Sequence, residues 1–161
     1  MKVAVKTNPE VLEHDLNQYF PELLKFESIN EAEKSDVYKK IAPKVLDILN
    51  AIVQENFSEP QASATESDKS ENDFISAAAW NIERGSFLEG ILDKLENHED
   101  LKDKDLYLLT ELDYGMARSD NHFVAQEIAK KLKLNYAFAP VYIALQKGSG
   151  VESEIDGENK Q

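Results

Sequence analysis

Residues 77–85 read Ala77-Ala78-Ala79-Trp80-Asn81-Ile82-Glu83-Arg84-Gly85. An apolar run suited to the inside of a sheet passes without a break into an amide, a carboxylate and a guanidinium, and then a glycine. With Phe74-Ile75-Ser76 ahead of it, the run predicts a strand over 74–80 that leaves the core at its C-terminal end. Beyond it, Ser86 and Glu89 have the spacing of a capping box. Phe87, Ile91 and Leu95 then form one stripe, with Leu88 and Leu92 beside it, as in an amphipathic helix. Residues 105–110 predict a second strand ending at Glu111. Ser119, Asp120 or Asn121 can cap a second helix, in which Val124, Ile128 and Leu132 align with Ala125 and Ala129 alongside. Residues 136–145 read as extended, with Pro140 marking an edge, bulge or bend. The order strand, helix, strand, helix, strand implies an α/β layer joined by right-handed crossovers.

Working outward, residues 1–56 predict an α-helical N-terminal extension. Asn8 suits an N-cap, and Pro9 the first helical position. Val11, Leu12, Leu16 and Phe20 recur at helical spacing until Pro21 ends or bends the segment. A second face runs through Val37, Ile41, Val45, Leu46, Leu49 and Val53, with Pro43 inside it. His14 stands alone on a polar stretch and is expected at the surface, as is His98. Residues 57–73 lose their large apolar side chains and fill with Ser, Glu, Asp and Lys. Such a composition buries too little surface to offset chain entropy, so it predicts a flexible linker. The expected organisation is therefore 1–56, 57–73 and 74–161.

The 161 residues include 42% hydrophobic and 30% charged side chains, as a foldable chain requires. No apolar run approaches the roughly 20 residues that cross a bilayer, and the acidic N-terminal stretch does not read as a secretory signal. The expected location is the cytoplasm. With no cysteine there are no disulfides and no thiolate metal sites. The formal net charge of −13 repels a phosphate backbone at long range. A bound divalent cation would reverse that sign locally.

Parallel neighbours bring their C-terminal ends to one sheet edge, the edge where open α/β sheets bind ligands. Asn81 and Glu83 end the first strand there, and Glu111 and Asp113 the second. These are hard oxygen donors plus an amide. One carboxylate with retained waters and substrate phosphate suits Mg²⁺, or Mn²⁺, better than zinc. Ordinary strand-end polarity explains the same residues equally simply. Arg118 offers a planar fork to a phosphate, or pairs with Asp113 or Asp120. His122 lies beside this edge, within reach of a phosphate or merely exposed. Glu83 is either a supporting acid near the ion or a partner for Arg84. Trp80, Tyr107, Phe138 and Tyr142 read as core.

The segments Trp80–Gly85 and Leu108–Ser119, with the helix between them, resemble the opening of the endonuclease/exonuclease/phosphatase superfamily, the deoxyribonuclease I-like fold. The resemblance covers about residues 74–147. It implies a partial sandwich, its β-α-β-α-β half, following the N-terminal extension. It also implies a metal-dependent phosphoester hydrolase in which Glu111 binds the catalytic ion and Asn81 contacts the scissile phosphate. The later family motifs, a Gly-Asp-x-Asn segment and a closing Asp-His pair, are absent. The expectation is thus the N-terminal half of such a domain, with little or no activity by itself. The alternative is a non-catalytic interaction module completed by a partner chain. The implied substrate is a phosphoester of nucleic acid, lipid or small-molecule type. The acidic balance points away from long nucleic acid.

Overall fold

The computed structural model describes residues 4–6, 9–58 and 74–160. Over these residues the chain is mixed α/β. The strands are β1 (Ala4–Lys6), β2 (Ala51–Asn56), β3 (Ala77–Arg84), β4 (Leu106–Leu112) and β5 (Asn135–Phe138). The α-helices are α1 (Phe20–Leu23), α2 (Ile29–Lys34), α3 (Asp36–Leu49), α4 (Leu88–Asn97) and α5 (Val124–Leu132). Among the described residues no helix is long and apolar enough to cross a membrane.

The run ending at Asn81 forms β3, and the α4 crossover brings β4 beside it as a parallel neighbour, from Ala77 opposite Leu106 to Asn81 opposite Thr110. Alternation follows from the pleat. Ala78, Trp80 and Ile82 of β3 turn away from solvent, whereas Ala77, Ala79 and Asn81 are exposed. The inner face packs on α4 and α5 through Ile82, Leu88, Ile91, Leu92, Leu95, Val124 and Ile128. Leu95 and Val124 are almost wholly buried. Each such side chain contributes roughly 1.5–3 kcal/mol.

A single layer of three consecutive strands does not form. β5 leaves β3 and β4 and pairs antiparallel with β2, which pairs parallel with β1. The reason lies in side chains that a strand pattern does not reveal. Tyr136, directly opposite Glu55, donates its hydroxyl to Glu55 Oε2 at 2.5 Å, and Gln126 Nε2 donates to the same oxygen at 2.6 Å. Phe138 stands opposite Val53 and edge-on to Phe123. α5 thereby joins both cores, since Phe123 and Ala125 pack with Leu12, Leu16, Phe20, Val37, Ile41, Ile48 and Val53.

The helical reading of 1–56 is corrected in the same way, because Ala4–Lys6 and Ala51–Asn56 are strands. A spacing of four between Leu49 and Val53 fits a helix turn and an alternating strand alike. Val11, Leu12, Leu16 and Phe20 lie on two 3₁₀ turns and the start of α1 rather than on one helix. Pro21 sits in the first turn of α1, just after Phe20, as its fixed φ allows. Pro43 sits inside a continuous α3. Asn8 and residues 59–73, most of the expected linker, lie outside the described residues. Phe57, at the head of that segment, stacks on Tyr136.

Two capping expectations also fail. Ser86 turns its hydroxyl to the Glu83 carbonyl at 3.1 Å, leaving Phe87 as the N-cap of α4 with no side-chain bond. Phe123, not Ser119, Asp120 or Asn121, precedes α5. The extended stretch from 136 is regular strand only to Phe138. Phe87 and Tyr142, read as buried, are exposed.

Candidate functional site

The C-terminal ends of β3 and β4 meet through an irregularity. Asn81 stands opposite Thr110, but the next paired residues are Arg84 and Leu112. Ile82 and Glu83 together therefore oppose Glu111, a β-bulge. Such bulges re-aim side chains and terminate pairing. The backbone turns left-handed on both sides of it, with φ of 47° at Glu83, 69° at Arg84 and 57° at Glu111. None of these is a glycine, and each left-handed residue costs on the order of 1–2 kcal/mol.

Gly85 continues the turn at φ 76°. A Cβ on it would lie 2.6 Å from Val124 Cγ1 and 2.7 Å from Val124 Cγ2, so only glycine lets the strand end come this close to α5. The glycine that closes the quoted stretch is thus required by packing as well as by conformation, which its sequence context alone did not show.

Glu111 is exposed, and among the described residues no cation or hydrogen-bond donor engages its carboxylate. Asn81 is exposed and accepts the Glu83 N–H on Oδ1 at 3.0 Å. That bond engages Oδ1 and makes it the acceptor side of the amide. Glu83 is exposed as well, and its expected partner Arg84 is taken by Glu152.

Asp113 is buried. Its Oδ2 accepts Arg118 Nε and its Oδ1 accepts Arg118 Nη2, both at 2.8 Å, while Ser119 Oγ adds a bond of 3.1 Å to Oδ2. Of the roles open to Arg118, pairing with Asp113 is the one the fold contains. Asp113 has its lone pairs spent on that fork. Its hydrogen bond above all keeps the guanidinium well above the usual arginine range. The main chain braces the same place, since Asp113 N–H bonds the Arg84 carbonyl at 3.1 Å and Val124 N–H bonds the Asp113 carbonyl at 3.2 Å.

An open cleft of about 1700 Å³ runs past this edge, lined among others by Arg84, Glu111, Asp113 and Arg118. Asn81, Glu83 and His122 do not line it. His122 Nδ1 lies 2.5 Å from Glu127 Oε1. His14, expected at the surface, is half-buried and lines the cleft. Its Nδ1 accepts the Leu16 N–H at 3.2 Å, and burial, aided by Lys44, lowers its pKa. The alternation of Leu12 and Leu16 around it was the only signal that it lies inward.

Among the described residues, the donor set at the edge is two unengaged carboxylates, Glu83 and Glu111, of which only Glu111 lines the cleft, with neutral or cationic nitrogen donors beside them. No group of three His, Cys, Asp or Glu side chains able to hold a metal occurs among the described residues. Were a metal bound here, Glu111 could hold it, and hard oxygen donors of this kind would suit a largely hydrated Mg²⁺ or Mn²⁺. No family model, no curated protein and no solved structure matches the chain.

Proposed function

We propose that this chain carries the ion- and phosphate-binding edge of a metal-dependent phosphoester hydrolase of the endonuclease/exonuclease/phosphatase type. The single observation behind this reading is the bulge. It leaves an unengaged carboxylate, Glu111, at a strained strand end that shares a cleft with two arginines. Strained backbone that persists in a fold gathers at functional sites.

In this reading Glu111 holds the divalent ion. When bound, the ion supplies polarisation of a phosphoryl oxygen and charge for the departing oxygen. Asn81 lies at the same strand edge but outside the cleft lining, and its phosphate contact is assigned by the family resemblance alone. Arg118 is a rigid guanidinium, held by Asp113, that adds positive charge beside the phosphate. His122 is bonded to Glu127 and lies outside the cleft lining, so it is given no role in the reaction. Small phosphoesters are favoured over long nucleic acid by the net charge of −13.

The test is Mn²⁺ binding followed by paramagnetic resonance, with hydrolysis of bis-p-nitrophenyl phosphate measured in parallel. The chain binds Mn²⁺, Glu111→Gln abolishes the binding, and turnover stays near the metal-only background. Unchanged Mn²⁺ binding in Glu111→Gln overturns the reading.

A second reading is a non-catalytic module completed by a partner chain. It is favoured by exposed apolar side chains on β4, Leu106 and Leu108, and just ahead of β3, Phe74 and Ile75. Apolar patches of this kind mark contact surfaces. Sedimentation showing a monomer at high concentration, together with Glu111-dependent Mn²⁺ binding, would exclude self-association as the basis for it.

A further inference from the structure

Glu152 lies on a single 3₁₀ turn, Gly150–Glu154, far along the chain from the bulge. Its two carboxylate oxygens are nevertheless the meeting point of two arginines. Arg84 Nη1 donates to Oε1, and Arg118 Nη1 donates to Oε2 at 3.3 Å. Arg84 is positioned by the left-handed end of β3. Arg118 is positioned by its fork to Asp113, which uses Nε and Nη2 and leaves the Nη1 edge for another acceptor. Side-chain exposure is 8% for Arg118, 20% for Glu152 and 38% for Arg84, so the Arg118 side of the contact is shielded from water and the Arg84 side is partly open.

The turn that brings Glu152 in adds little else. Val151 is 83% exposed, and Ser153 and Glu154 are exposed too. No residue of the turn belongs to either core. Polar contacts help tie down the residues after it, among them Ala117 N–H to Asn159 Oδ1 at 2.9 Å and Lys160 N–H to the Gly115 carbonyl at 2.7 Å. One guanidinium held by Asp113 and a second, carried on the left-handed end of β3 and paired with Glu152, converge on two oxygens of one anion. Such a pair is a site for an oxyanion, and a carboxylate from a distant turn is a replaceable occupant.

We propose that Arg84 and Arg118 form a phosphate-binding site that the carboxylate of Glu152 occupies in place of the ligand. The choice of phosphate rests on the phosphoester reading above; the site itself rests on the two arginines. A tethered carboxylate competes at an effective concentration in the millimolar range. The intact chain therefore binds a free phosphate group weakly until the turn carrying Glu152 moves away.

The experiment is calorimetric titration with inorganic phosphate in the absence of any divalent ion. Glu152→Ala is expected to bind phosphate about tenfold more tightly than the unmodified chain. Adding Arg84→Ala to Glu152→Ala is expected to remove the gain. Equal affinity in Glu152→Ala and the unmodified chain, with an unchanged circular dichroism spectrum, overturns the proposal. So does a Glu152→Ala, Arg84→Ala double variant that binds as tightly as Glu152→Ala.

If Glu152→Ala does not fold, the arginine side-chain resonances of the unmodified chain decide. Movement of the Arg84 and Arg118 signals at high phosphate supports the site, and their immobility overturns it. Because no metal is present, this outcome is independent of Mn²⁺ binding at Glu111. Phosphate binding without Mn²⁺ binding sinks the hydrolase reading and leaves the anion site.

Discussion

Arg118 and Asp113 face each other through a two-bond fork, Nε to Oδ2 and Nη2 to Oδ1, each 2.8 Å, with both side chains 8% exposed. The pair sits where the Arg84 carbonyl and the start of α5 are also bonded to the Asp113 main chain, so it couples the end of β3 to the helix behind it. Removing one partner of a shielded pair leaves an uncompensated charge. Asp113→Ala is expected to lower stability in urea unfolding by about 3 kcal/mol. Arg118→Lys, which keeps the charge but not the fork, is expected to lose part of that amount. Ser119→Ala gives up one hydrogen bond, at about 1 kcal/mol.

Gly85 is the position least able to accept a side chain. Gly85→Ala places a methyl against Val124 at a left-handed φ. The expected loss is about 2 kcal/mol or more, from overpacking and backbone strain together. Val124→Ala in the same chain should recover part of it, a coupling that a double-mutant cycle in thermal unfolding would measure.

Glu111 shows the opposite relation. Its φ of 57° suits glycine better than glutamate. Glu111→Gly is expected to raise stability by up to about 1 kcal/mol while abolishing Mn²⁺ binding. Stability unchanged or lowered, with Mn²⁺ still bound, would show that the strained residue is not held there for its carboxylate.

Acid dependence follows from Glu152. Burial raises its pKa, but the Ser149 N–H together with Arg118 and Arg84 outweighs it, and the net direction is downward. The folded chain then binds fewer protons in the acid range than the unfolded one. The stabilising contribution is complete above the ordinary glutamate range, near about pH 4.3, and is lost as pH falls through the lower folded value. Protection of the amides of residues 149–155, measured as the exchange rate relative to the intrinsic rate at each pH, is expected to fall over that acid window. In Glu152→Gln the protection should already be low at neutral pH and should change little with acid.

At the alkaline end, burial first, and then the hydrogen bond and charge of Glu55, raise the Tyr136 pKa far above its ordinary value. The phenol stays protonated in the fold where an unfolded tyrosine ionises. Its contribution is fully present below the ordinary tyrosine pKa of about 10 and declines as pH rises toward the folded value. Tyr136→Phe is expected to lose about 1 kcal/mol at neutral pH and to flatten that alkaline decline in chemical denaturation.

Periodicity carried much of the fold. The stripe Leu88, Ile91, Leu92 and Leu95 is buried, as is Val124, Ala125, Ile128 and Ala129. The parallel pairing of two strands joined by a helix, with Asn81 and Glu111 near one edge, followed from order alone. Local chemistry was less reliable. The Ser86 and Glu89 spacing of a capping box went unused because the left-handed turn at Glu83, Arg84 and Gly85 presents the Glu83 carbonyl to Ser86 first. Residues 51–56 read as helix because a spacing of four is shared by both periodicities.

The amino-acid order by itself determined which faces are apolar, where the chain turns polar, and that two strand ends share an edge, since these depend on contacts near in sequence. Only the tertiary structure decided that β5 joins β2, that Asp113 rather than Asp120 takes Arg118, and that Glu152 comes to lie between two arginines. The first and third join residues distant along the chain, and the second is decided by which of two nearby carboxylates the local backbone aims at the guanidinium. Each is resolved only once packing fixes which side chains can reach.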